Sequence, residues 1–299
     1  MKIIVLGSAA GGGSPQWNCH CNVCKLAWSG DSSVRRRTQA SVAFSVDDQN
    51  WGLLNCSPDI REQIGLVAEL RRPEALRASP IRDVILTNAD IDHIGGLLSL
   101  LEGHAFNVHG TDETLGVLSS NSVFNVLAPQ LVSRRSMAIG VPQQISDNLQ
   151  VECFMVPGKL PLYLEGEAPD TKFKSGNTVG VMVASGKKKF YYIPGCAELD
   201  RETQTRLKDA ALVFFDGTLW TDDEMITSGT GQKTGRRMGH MPVSGDDGSL
   251  AALKSLGVKR LVYTHMNNTN PMLIDGSAQY RAVLAAGAEV GFDGMEIAL

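Results

Sequence analysis

The sequence predicts a layered α/β protein, and three observations carry that reading. Short β-rich apolar runs alternate with segments whose apolar residues recur at helical spacing, as in sheets covered by helices. A hairpin-rich run followed by strand and helix alternation recurs in both halves of the chain, which predicts two similar halves packed as one domain over 1–299. No repeat of fixed short period, low-complexity tract or linker divides it.

Taken in order, the apolar run at 3–6 reads as a strand. Runs at 41–45 and 51–55 flank the polar turn Asp47-Asp48-Gln49-Asn50 and read as a hairpin. Ser57 and Pro58 supply a helix cap and a first-turn proline, and Ile60, Ile64 and Val67 follow on one helical face. Further strands are expected at 84–87, 106–109, 151–156, 179–184, 190–193, 212–215 and 261–264, and helices at 111–118, 199–207, 248–256 and 278–286. The stretch 228–245 is rich in Gly, carries Lys233, Arg236 and Arg237, and lacks acids until Asp246; it reads as a long functional loop.

Composition narrows the function. A net charge of −4 from 28 basic and 32 acidic side chains, mixed in sign, excludes a disordered polyelectrolyte and a nucleic-acid binder built on a global positive field. The N-terminal run breaks into Gly and Ser too early for a secretory signal, and no stretch approaches the roughly 18 apolar residues that cross a bilayer. A cytoplasmic protein without membrane insertion is expected. Six cysteines in 299 residues are too dilute for a disulfide scaffold.

Three of those cysteines stand together in Cys19-His20-Cys21-Asn22-Val23-Cys24. Thiols this dense in a reducing compartment can converge on one Zn²⁺, which takes thiolates at about 2.3 Å in a tetrahedron. A fourth ligand must then come from elsewhere, and His20, between ligands, is expected to point outward. Gly11-Gly12-Gly13 lacks the Gly-Lys-Ser/Thr continuation of a phosphate loop. Cys56 and Cys153 read as small core residues, and His104 and His109 as structural or solvated. Lys187-Lys188-Lys189 reads as an exposed turn. Arg35-Arg36-Arg37 and the Lys233, Arg236, Arg237 group are either solvated faces or grips for carboxylates, which guanidinium groups bind in pairs.

The densest chemistry is Thr87-Asn88-Ala89-Asp90-Ile91-Asp92-His93-Ile94-Gly95-Gly96, placed directly after an apolar strand where α/β folds bind ligands. It resembles the metallo-β-lactamase superfamily motif His-x-His-x-Asp-His followed by x-Gly-Gly, with Asn88 and Asp90 standing where the family has its first two histidines. That resemblance implies a four-layer αββα sandwich. The superfamily's middle histidine should fall near 156–159, where none exists, and its bridging aspartate falls on Cys196, which reads either as an inert buried thiol or as a site residue. The last histidine is kept in Thr264-His265. His240 and Asp216 match site-facing positions of the phosphodiesterase-like branch, or are loop and turn residues. One carboxylate and two imidazoles remain, Asp92, His93 and His265. Such a set suits non-haem Fe(II), although zinc peptidases use it too.

Together with 7–24, Ser57-Pro58-Asp59-Ile60-Arg61-Glu62-Gln63 and Thr264-His265-Met266-Asn267-Asn268-Thr269-Asn270-Pro271, this altered motif makes the whole chain resemble the family of pyrroloquinoline quinone (PQQ) biosynthesis protein B. The resemblance implies a cytoplasmic bacterial protein that hydroxylates, with Fe(II) at Asp92, His93 and His265, the tyrosine-derived ring of a cross-linked Glu-Tyr precursor. Two alternatives stay open: a soluble carrier assisting transport of PQQ or its precursor to the periplasm, and a metal-dependent hydrolase. His240 and Asp90 would move protons with Asp216 beside them, and Lys233, Arg236 and Arg237 would bind substrate carboxylates. Cys19, Cys21, Cys24 and, by the spacing in relatives, Asn268 would hold a structural zinc. The implied partners are the precursor, as diamino acid or peptide, and other proteins of the pathway; a homodimer is possible.

Overall fold

The structure, a computed structural model, describes residues 1–71, 76–164 and 174–299. Its strands in chain order are β1 (Lys2–Gly7), β2 (Ser41–Ser45), β3 (Trp51–Leu54), β4 (Ile81–Ile85), β5 (Phe106–Gly110), β6 (Val132–Ser136), β7 (Gln143–Ser146), β8 (Leu149–Met155), β9 (Val179–Ser185), β10 (Lys188–Ile193), β11 (Val213–Asp216), β12 (Leu261–Thr264), β13 (Ala288–Val290) and β14 (Glu296–Ala298). The helices are α1 (Asn22–Ser29), α2 (Ile60–Leu66), α3 (Ile91–Ile94), α4 (Asp112–Ser120), α5 (Arg201–Leu207), α6 (Glu224–Thr227), α7 (Ser249–Ser255) and α8 (Ala278–Ala285).

The strands form two seven-stranded sheets, ordered β14-β1-β2-β3-β4-β5-β6 and β13-β12-β11-β10-β9-β8-β7. Each half begins with antiparallel pairs, then turns parallel at β3–β4 in the first sheet and at β10–β11 in the second. Parallel pairing needs crossovers, and α4, α5 and α7 are such connections.

Side-chain alternation assigns the layers, because successive strand residues face opposite sides. Ile3, Val5, Val42 and Phe44 of the first sheet meet Val181, Phe190, Tyr192 and Phe214 of the second. Ile4, Leu6, Leu53 and Val84 face outward onto Ile60, Ile94, Leu97 and Leu118. On the far side, Tyr191, Val213, Phe215 and Tyr263 pack on Leu207, Leu253 and Val283. Helices therefore cover both outer faces, giving the expected four-layer αββα sandwich. Across the inter-sheet core, Phe44, Phe190 and Phe214 stack edge to face at 6.1 and 5.8 Å. Each such contact adds about 0.5–1.5 kcal/mol beyond area burial.

Several local expectations change. Ser57 does not cap α2 through its side chain. Its hydroxyl is buried without a hydrogen-bond partner among the described residues, and the helix opens later, after Asp59. The cause is crowding, since the Ser57 carbonyl lies 2.0 Å from where a side chain on Gly96 would begin. Only glycine lets the segment after α3 approach so closely. Helix α1, edge strands β6 and β7, and the short β13 and β14 were not expected from sequence. No helix among the described residues is long and apolar enough to cross a membrane.

Candidate functional site

The chain ends of β4, β11 and β12 and the start of α3 converge on one cluster. Asp90 precedes α3 in extended conformation and makes no side-chain cap bond. Asn88 turns back on the motif: its Oδ1 accepts the Asp90 N–H at 2.9 Å and lies 2.6 Å from His93 Nδ1. An amide oxygen only accepts, so Nδ1 carries the proton and Nε2 keeps its lone pair. That Nε2 is buried and has no hydrogen-bond partner among the described residues. His265 closes β12 with a left-handed φ of 55°, an uncommon conformation outside glycine that aims the ring at the cluster. Its Nδ1 lies 2.9 Å from Thr218 Oγ1 and its Nε2 3.1 Å from Asp92 Oδ2. Ligand atoms of Asp92, His93 and His265 all lie within 4.8 Å of one another.

A carboxylate and two imidazoles at this spacing fit a divalent cation. The orphaned His93 Nε2 is the most direct sign, because a buried lone pair without a partner is costly. The electrostatics of His93 and Asp92 agree. Burial pushes His93 down, which keeps it neutral as a ligand must be. Burial opposes ionisation of Asp92, but His93 and His265 outweigh it and hold the carboxyl well below its usual range. For His265, burial is outweighed by the Asp92 hydrogen bond and the carboxylates around it, so its value rises.

A second group, Asp216, His240 and His265, also lies within 4.8 Å. Here the carboxylate is already saturated. Asp216 Oδ2 accepts from His240 Nδ1 at 2.7 Å and from the Cys196 amide at 2.9 Å; Oδ1 accepts the Thr218 amide at 3.0 Å and its hydroxyl at 2.6 Å. Burial resists its charge, yet His240 beside it holds the group below the usual carboxylate range. Asp216 thus fixes the tautomer of His240 and leaves His240 Nε2 toward the cavity, with the ring stacked on His265 at 5.2 Å. Cys196 resolves to a buried thiol: its Sγ donates to the Glu198 carbonyl at 3.1 Å and burial pushes its ionisation up.

Asp92, His93, His240 and His265 line a cavity of about 350 Å³, together with Asp90, Lys159, Lys233, Met225 and Met238. A larger hollow of about 510 Å³ beside Ile64, Leu70 and Phe106 gathers no such cluster among the described residues. Of the three basic residues expected at the substrate, only Lys233 lines the cavity. Arg236 Nη2 lies 2.5 Å from Asp247, and its amide donates to Asp222. Arg237 is also outside the lining. Both sit in a short 3-10 turn, Arg236–Met238, whose pitch sends only Met238 inward. Lys159 and the hub threonine Thr218 were missed in the sequence. Lys159 falls where a histidine was sought, and that absence hid the lysine.

The sulfurs of Cys19, Cys21 and Cys24 lie within 4.8 Å of one another, and His20 is exposed as expected. Burial pushes Cys21 up to about 12, helped by its thiol neighbours, whereas Cys19 is lowered despite burial by the Cys21 N–H and by hydrogen bonds from the surrounding groups. A bound cation removes that mutual repulsion. Asn268 covers the trio, its Nδ2 3.2 Å from Cys24 Sγ and 3.7 Å from Cys21 Sγ. Placed this way the amide donates to the sulfurs, and an amide turned over would present Oδ1 as a ligand. The cysteine loop also reaches the metal cluster, because Ala10 and Ser8 pair with the main chain of Met266.

Behind this segment, Glu224 accepts from Thr269 Oγ1 at 2.5 Å and from the Trp220 amide at 2.6 Å. Burial pushes its carboxyl from 4.5 up to about 7. A raised folded value favours the protonated fold, so this contribution is complete below about 4.5 and is lost as pH rises through about 7, on the order of 3 kcal/mol. Glu224→Gln removes the charge, accepting the Trp220 amide at Oε1 and donating from Nε2 to Thr269 Oγ1. Its melting temperature should therefore fall less than the parent's between about pH 5 and about pH 8, and parallel declines in thermal melts would refute this role.

A family described as Beta-lactamase superfamily domain matches residues 50–266. Coenzyme PQQ synthesis protein B of Rhizobium meliloti (strain 1021) is 49% identical, over 100% of this chain and 98% of that protein. The protein of the same name from Methylorubrum extorquens (strain PA1) is 46% identical over 100% of both. The crystal structure of Zn²⁺-bound PqqB from Methylobacterium extorquens superposes with a TM-score of 0.98 at 46% identity, covering both chains fully. A diphosphatase of the PhnP family, 19% identical and covering 100% of this chain and 97% of its own, shares the fold with a TM-score of 0.69. With full-length identity near one half and the same sandwich, the chain belongs to the coenzyme PQQ synthesis protein B family of the β-lactamase superfamily.

Proposed function

We propose that this protein acts in PQQ synthesis as a metal-dependent hydroxylase of the tyrosine-derived ring in a cross-linked Glu-Tyr precursor. The observation that carries the reading is the donor set: one carboxylate and two imidazoles beside an open cavity, with the neighbouring carboxylate, Asp216, too fully engaged to hold a second ion. Fe(II) bound by Asp92, His93 and His265 would supply O₂ activation, the chemistry typical of two-histidine, one-carboxylate sites with free positions.

The chain's own residues do the rest. Asn88 and Thr218 lock the two imidazoles so that each presents Nε2. His240, oriented by Asp216, takes the phenol proton at Nε2, and Asp90 at the cavity wall serves as a second proton acceptor. Lys233 pairs with a substrate carboxylate. The ring C–H becomes C–OH with one oxygen atom of O₂, and the other leaves as water with two protons and two electrons from an added reductant. Cys19, Cys21 and Cys24, closed by Asn268, hold a structural zinc.

The test is anaerobic Fe(II) loading followed by O₂ exposure with a reductant and the ring-linked glutamyl-tyrosine diamino acid. Consumption of O₂ in step with hydroxylated product supports the reading. An unchanged diamino acid together with tight PQQ binding would instead indicate a carrier.

A further inference from the structure

Lys159 is built into the cavity wall more firmly than a surface lysine. Its carbonyl accepts from Thr178 Oγ1 at 2.9 Å, and a side chain on Gly158 would begin 2.7 Å from the Thr178 methyl, so this backbone is packed directly on β9's entrance. The stem of Lys159 lies on Gly239, where a Cβ would meet Lys159 Cγ at 3.1 Å. Gly239 has a φ of 86° and immediately precedes His240. The lysine is thereby held, half-buried, beside the proposed proton acceptor. No described residue takes a hydrogen bond or ion pair from its ammonium.

Charge points to what this group meets. Asp90 and Asp92 balance Lys159 and Lys233 in the cavity lining, so a divalent ion at the metal cluster leaves the cavity positive overall. A positive, partly desolvated cavity selects an anionic ligand. We propose that Lys159 is a substrate-anchoring residue whose ammonium pairs with a carboxylate of the tyrosine-derived acid and sets the ring's position beside the metal cluster. The identity of the acid rests on the hydroxylase reading; the presence of a carboxylate-binding group does not.

The test is equilibrium binding of the glutamyl-tyrosine diamino acid, and separately of its methyl esters, to the full chain loaded anaerobically with Fe(II), followed by turnover on O₂ addition. Lys159→Met should weaken binding of the acid roughly 10- to 100-fold, the value of a charge-assisted hydrogen bond, and leave the esters unaffected. Lys159→Arg should retain most of the affinity. In turnover the Met variant should raise KM. Equal loss for acid and esters, parental affinity in Lys159→Met, or a parent that does not bind the acid would each overturn the anchor. A parent that binds the acid through Lys159 yet never converts it sinks the hydroxylase reading alone; conversion with an unchanged KM in Lys159→Met sinks the anchor alone.

Discussion

His93→Ala and Asp92→Ala should lose metal and turnover together. Each removes one of three donors from a buried cluster, in which the Nε2 of His93 is buried without a hydrogen-bond partner among the described residues. Removing an outer hydrogen-bond partner of a metal ligand costs roughly 10–100-fold in affinity, so removing a ligand should cost more than about 100-fold. Asn88→Ala supplies the graded comparison. It leaves all three donors and frees His93 to rotate or change tautomer, and should fall within the outer-partner range. Anaerobic competition against a chromophoric chelator reads all three variants. Parental affinity in His93→Ala would place the ion elsewhere.

A loss of stability is expected from Cys24→Ser. Cys24 is fully buried, its sulfur lies with those of Cys19 and Cys21, and Asn268 reaches across from the other end of the chain. A zinc at this point would tie the N-terminal loop to the segment just after His265, closing a long loop. The chain-entropy value for a cross-link of such span is about 5 kcal/mol, which corresponds to a melting temperature lower by roughly 10 °C in a domain of this size. Metal analysis should show one zinc fewer per chain, and a chelator should reproduce the shift in the parent. Asn268→Asp, which replaces the amide with an ordinary zinc ligand, should keep the zinc. Full zinc content and an unchanged melting temperature in Cys24→Ser would refute the structural role.

How much of this was legible in the sequence follows from where tertiary packing decides. The central strands announced themselves because a strand segment buried on both faces must be apolar, as in 190–193 of β10 and 261–263 of β12. The edge strands β6 and β7 bury little, and sequences such as Val-Ser-Arg-Arg-Ser leave no apolar trace. Helix α1 was hidden because it starts inside the cysteine motif. At the site, Asp92 and His93 were visible as neighbours on one motif, and His265 joined them through the family pattern. The saturation of Asp216 was not visible, because its four donors come from Cys196, Thr218 and His240, which only the fold brings together. The basic loop misled for the same reason: charge at Arg236 and Arg237 says nothing about direction, and Arg236 turns to Asp247. A lysine after a strand looks like any solvated lysine until Gly239 is seen beneath it.

The central claim is that the cluster of Asp92, His93 and His265 supports ring hydroxylation. A single turnover of the anaerobically Fe(II)-loaded protein with isotopically labelled dioxygen and the glutamyl-tyrosine diamino acid, read by mass spectrometry, tests it most directly. The account predicts a ring-hydroxylated product carrying one labelled oxygen in the parent and none in His93→Ala. A diamino acid recovered unchanged, or an added oxygen that derives from water, would contradict it.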